Sequence, residues 1–120
     1  MAKPIEISGA GCCLVDQIYP EVDFNDAPVA EYLSKKEGDG GLHPGRLVFR
    51  EKFESFAGRD LQSLLTRIEE KKGEPVYNVG GPSIVALIHA AQLLQGTSAE
   101  VRFFGARGMD AAGEFLSGKL

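Results

Sequence analysis

The chain has 120 residues and a formal net charge of −4, a balance that argues against a nucleic-acid partner. Its 43% apolar and 25% charged residues are ordinary for a globular domain. No apolar run nears the ~20 residues of a membrane helix, and the first six residues lack the basic-then-apolar pattern of a secretory leader. Cys12 and Cys13 are the only cysteines; with no partner thiols they make neither a disulfide framework nor a zinc site, and a reducing cytoplasm is the expected location.

In chain order, residues 5–15 read as a first strand with Gly9 and Gly11 near its middle, ending at Asp16. A glycine within a strand marks close approach of another backbone or a ligand. Residues 19–58 are irregular, broken by Pro20, Pro28 and Pro44, with Gly38, Gly40, Gly41 and Gly45 in one loop. A short helix is expected over 30–36. The alternation of Leu47, Phe49 and Phe53 with Arg46, Arg50 and Lys52 predicts a strand over 46–53. The whole excursion reads as a small β lid. Residues 60–72 form the clearest helix: Leu61, Leu64, Leu65 and Ile68 fall at i, i+3, i+4, i+7, Asp60 is its N-cap and Gly73 its stop. A short strand over 75–79 runs into Gly80-Gly81. Pro82 then opens a helix to residue 95, expected to bury Ile84, Leu87, Ile88, Ala91 and Leu94. A strand over 100–104, a turn over 105–108 and a helix over 111–120 complete the chain. Alternating strands and helices argue for an α/β fold on a parallel sheet with right-handed crossovers.

Several residues invite a chemical reading and a plain one. Gly80-Gly81 before a helix can lend free amides to a hydroxyl or an anion, or simply form a tight turn. Asp16 can accept hydrogen bonds from two ligand hydroxyls, or serve as a cap or a solvated loop carboxylate. Arg107 can meet an anionic substituent, although pairing with Asp110 is the favoured reading. Cys12 and Cys13 read as packed strand residues, since nothing nearby points to an acidic thiol. His43 and His89 share no ligand-like spacing, and no metal site is expected. Gly9-Ala10-Gly11 lacks a third glycine, Leu14 standing at that place, so a dinucleotide fingerprint is rejected.

Three blocks, taken in order, resemble the N-terminal half of the ribokinase-like carbohydrate kinases, the PfkB family. They are G-A-G-C-C-L-V-D from Gly9 to Asp16, N-V-G-G-P-S-I-V-A from Asn78 to Ala86, and F-F-G-A-R-G-M-D-A-A-G-E-F-L from Phe103 to Leu116. The insertion and helix before the di-glycine are similar to the adenosine kinase branch. The resemblance implies a parallel sheet flanked by helices with a small β lid, residues 1–120 being the substrate-binding part and 19–58 the lid region. It implies transfer of the ATP γ-phosphoryl group to a hydroxyl of a sugar or nucleoside, with Mg2+, and lid-mediated homodimers in part of the family. It assigns substrate contact to Asp16, Gly80 and Gly81, with Cys12 and Arg107 as further candidates. Two departures stand out. The asparagine usual after the di-glycine is replaced by Ile84 or Val85, and the asparagine that adenosine kinases tend to carry at Cys12 is absent. The family's Gly-Ala-Gly-Asp base and anion hole, and its ATP site, match no segment here. The expectation is therefore a kinase fragment, inactive by itself, with a non-catalytic small-molecule-binding or regulatory protein of the same fold as the alternative.

Overall fold

The computed structural model describes residues 3–120, and the chain divides into two units: Tyr19–Pro75, and the segments that flank it. The fold is mixed α/β.

In the flanking unit, Glu6–Ala10 forms β1 and Leu14–Ile18 forms β2; Val76–Gly80 is β3 and Glu100–Phe104 is β4. β1 pairs with β4 in parallel, Glu6 opposite Glu100 through Ala10 opposite Phe104. β2 pairs with β3 antiparallel, Leu14 opposite Gly80 and Asp16 opposite Asn78. The single strand expected over 5–15 is therefore two, and a parallel sheet describes only β1 and β4. The break has a local cause. Gly11 prolongs the β4 ladder by donating to the Phe104 carbonyl at 3.2 Å. The Cys12 carbonyl then turns against Gly81, and the Cys13 thiol donates to the Ala106 carbonyl at 3.2 Å. These three contacts carry the chain off β4 and onto β3.

In the same unit Pro82–Leu93 forms a helix that packs on β1, here called α3, since α1 (Arg50–Ala57) and α2 (Leu61–Lys72) precede it in the other unit. Gly9 and Gly11 make the approach possible. A Cβ at Gly9 would lie 2.7 Å from Leu87 Cδ1, and one at Gly11 2.5 Å from Ser83 Oγ. Ser83 Oγ fixes the helix by donating to the Ala10 carbonyl at 3.2 Å. Ile84 is 1% exposed and anchors α3. Ala91, expected inside, is exposed: the apolar stripe outruns the two strands available to cover it. The last helix, α4 (Ala111–Lys119), is capped by Asp110, which accepts from the Gly113 amide at 2.9 Å. It packs its Phe115 ring 6.3 Å from that of Tyr77.

The Tyr19–Pro75 unit is helical, with one isolated bridge, Leu33 to Leu42. This corrects the β lid expected over 19–58 and the strand expected over 46–53; the extended pairing lies instead in β2 and β3, on either side of the excursion. The helix expected over 30–36 shrinks to a 3-10 turn, Ala30–Tyr32. Helix α2 follows its sequence signals. Asp60 accepts from the Ser63 amide at 2.7 Å, Gly73 stops the helix with φ 89°, and Leu64 and Ile68 are buried with Val29, Tyr32 and Phe53.

Candidate functional site

Side chains alternate across a strand, so the β2–β3 ribbon has two faces. One carries Tyr77 and meets α4 through Phe115. The other carries Leu14, Asp16 and Ile18 from β2 and Val76, Asn78 and Gly80 from β3. A Cβ at Gly80 would lie 2.5 Å from Leu14 Cδ1 and 2.6 Å from Asp16 Oδ2, which places both side chains over that glycine. The face is open: Leu14, Ile18 and Val76 are 44%, 42% and 51% exposed. Asp16 and Asn78 stand opposite each other on it, both exposed. An anionic acceptor and an amide, flanked by aliphatic side chains, suit a polyol whose hydroxyls need partners and whose C–H faces need cover.

The sequence candidates divide on inspection. Asp16 lies in the middle of β2 rather than at the end of a strand, and caps no helix. Gly80 is buried beneath its carboxylate. Gly81 is the N-cap of α3 with φ 112°, no side chain caps the helix, and Pro82 follows. The amides of the first turn are therefore without helical acceptors, and the positive end of the helix dipole stands beside the ribbon. Cys12 enters through its backbone: its carbonyl faces Gly81, and its side chain is exposed. Arg107 does not pair with Asp110. Its guanidinium donates to the Gly113 carbonyl at 3.1 Å while Asp110 takes the Gly113 amide, so both residues brace the start of α4. Gly113 itself lies against the Gly108 carbonyl. Of Ile84 and Val85, the two residues that the resemblance sets against an asparagine, Ile84 is buried and offers a ligand nothing. His89 is an exposed residue of α3.

Asn78 was not among the sequence candidates. Its position two residues before the di-glycine was visible, but its place opposite Asp16 follows from the antiparallel register. Among the described residues no three His, Cys, Asp or Glu side chains gather as a metal site, and no helix is long and apolar enough to cross a membrane. Comparison with protein-family profiles, curated proteins and solved structures finds no match to this chain.

Proposed function

We propose that this chain is the acceptor-binding part of a ribokinase-like, PfkB-type kinase that in full-length form transfers the ATP γ-phosphoryl group to a hydroxyl of a sugar or nucleoside. The observation that carries the reading is the Asp16 carboxylate, exposed on the open face of β2, standing over Gly80 beside an uncapped helix start. In this reading Asp16 accepts from two acceptor hydroxyls. The Asn78 amide fixes a third polar group, and Leu14, Ile18 and Val76 cover the apolar side of the ring. Free amides at the start of α3 favour partial negative charge on an acceptor oxygen. Among the described residues no three His, Cys, Asp or Glu side chains gather to hold Mg2+, and no step is derived through the metal or the nucleotide.

The test is calorimetric titration of the chain with a panel of pentoses, hexoses and nucleosides, joined to ADP release by the full-length protein on the same panel. One acceptor is expected to bind and to be phosphorylated. Asp16→Asn is expected to weaken its binding by about ten- to a hundredfold, the range for loss of charge-assisted hydrogen bonds. Unchanged binding in Asp16→Asn would remove the basis of the reading, while binding without ADP release would identify the non-catalytic alternative.

A further inference from the structure

The Tyr19–Pro75 unit leaves the chain and rejoins it at one place. Ile18 ends β2, Val76 opens β3, and the two are partners in the antiparallel register, with Cα atoms about 5 Å apart. The unit also draws its own ends together. Tyr19, its first residue, donates from its hydroxyl to Glu69 Oε1 at 2.7 Å, and Lys72 Nζ reaches Asp26 Oδ2 at 3.0 Å. Both bonds join the entry of the unit to the last turn of α2. Beside them Tyr19 and Val22 face Lys72 and Glu74 across a hollow of about 30 Å3.

The core behind those bonds is internal too. Val29, Tyr32, Phe53, Leu64 and Ile68 bury one another, and Tyr19 and Val22 pack against them. The Tyr32 and Phe53 rings meet edge to face with centroids 5.7 Å apart. All of these residues lie within 19–75, so the burial that orders the segment also keeps its two ends adjacent. The consequence for the β2–β3 ribbon is entropic. The weight of closing a flexible loop falls roughly as the −3/2 power of its length. A disordered segment of this length would disfavour the ribbon about a hundredfold relative to a tight two-residue turn. Folded, with its ends already side by side, the segment escapes that penalty.

We propose that the Tyr19–Pro75 unit is a folded clasp. Its internal core, closed by the Tyr19–Glu69 and Asp26–Lys72 bonds, holds Ile18 beside Val76 and so keeps Asp16 opposite Asn78. The register at the candidate site is conditional on a core to which neither residue belongs, and loss of order in the unit opens that face. By the reciprocity of linkage, a ligand held by Asp16 and Asn78 together stabilises the unit in return. The step to a ligand rests on the function proposed above; the coupling of core to ribbon does not.

The test is amide hydrogen exchange in the 120-residue chain, read in α2 and in the ribbon residues 14–18 and 76–80. Phe53 is 2% exposed. Phe53→Ala is expected to abolish protection in α2 and to lower that of the ribbon about a hundredfold. A second chain carries the same substitution with Ile18→Cys and Val76→Cys, in a background of Cys12→Ser and Cys13→Ser; antiparallel partners lie within the span of a disulfide. Oxidised, it is expected to regain ribbon protection while α2 stays unprotected, and to lose it again on reduction. That contrast is readable even if Phe53→Ala alone unfolds throughout. Ribbon protection unchanged by Phe53→Ala, α2 protection that survives it, or equal ribbon protection in the oxidised and reduced second chain would each overturn the proposal. Absence of acceptor binding, with these results as expected, would remove the kinase reading and leave the clasp in place.

Discussion

Gly80 and Gly81 are adjacent, yet the structure assigns them opposite consequences when a methyl group is added. At Gly81 the backbone has φ 112° and ψ 125°, outside the regions open to L-residues, and such strain costs about 1–3 kcal/mol. The new Cβ would also strike the Cys12 carbonyl oxygen, a backbone atom held by the β1–β2 turn. Together these give a cost of about 2–4 kcal/mol for Gly81→Ala, within the upper range of single substitutions. At Gly80 the backbone is ordinary strand. Its Cβ would meet only side-chain atoms, Leu14 Cδ1 at 2.5 Å and the Asp16 carboxylate at 2.6 Å, both at the free ends of exposed side chains. Gly80→Ala should therefore destabilise by less than about 1 kcal/mol while pushing the carboxylate aside. Hydrogen exchange over residues 76–93 reads the difference locally, without requiring the two units to unfold together. Protection there should fall about 30- to 700-fold in Gly81→Ala, at tenfold per 1.4 kcal/mol. It should fall less than about fivefold in Gly80→Ala. Acceptor binding should suffer in both. Equal losses of protection in the two variants would show that the turn does not have this geometry and that Asp16 does not stand over it.

Ile84→Ala removes the best-buried side chain of α3, 1% exposed, and should cost about 2–5 kcal/mol; Ala91→Ser on the exposed end of that helix should be neutral, and thermal unfolding of both variants checks the contrast. Gly113→Ala would drive a methyl group into the Gly108 carbonyl, and should abolish exchange protection in α4 while sparing α2. In the Tyr19–Pro75 unit, carboxyls are lowered from ordinary values of 3.8 for Asp60 and 4.5 for Glu54, by the Ser63 and Leu61 amides respectively and then, for Glu54, by Arg50. A carboxyl lowered in the folded state stabilises above its unfolded value and loses that contribution as pH falls through the folded one. Urea midpoints followed through α2 should therefore hold from pH 7 to about 5 and decline below about 4, with Glu54→Gln declining less; a flat profile down to pH 3 would contradict the assignment.

The elements legible from sequence are those whose signals are local. Helix α2 has its cap, its stripe and its stop within one stretch, and Asp60, Leu64, Ile68 and Gly73 all play the expected parts. The segment from 46 to 53 was misread because Leu47, Phe49 and Phe53 alternate like a half-buried strand. In the structure they share no buried face: Phe53 is 2% exposed, whereas Leu47 and Phe49 are among the most exposed apolar residues. The run from Arg50 instead forms helix, with Arg50 Nε bonded to Glu54 at 2.8 Å one turn on. The split of the first strand was hidden for a different reason. It is imposed by Phe104, Gly81 and Ala106, all distant in sequence, so no window around Gly11 contains its cause. Asn78 escaped notice on the same ground.

The same distinction governs what the glycine-rich blocks can say about function. In the third block, the one with the most characteristic spacing, each distinctive residue has a packing task. Gly113 admits the Gly108 carbonyl, Asp110 caps α4, and Arg107 bonds the Gly113 carbonyl. The first block divides: Gly9 and Gly11 let α3 onto β1, whereas Asp16 is exposed and engages no donor among the described residues. Residues fixed by close packing recur wherever that packing recurs, whatever the chemistry, so they bear on fold and leave activity open. The functional reading therefore rests on the face where Asp16 meets Asn78 above the di-glycine. The face is exposed to solvent, where a carboxylate and an amide are ordinary and neighbouring Leu14, Ile18 and Val76 are the less usual residues. Whether the carboxylate and the amide hold a ligand is therefore decided by the Asp16→Asn titration and not by their polarity.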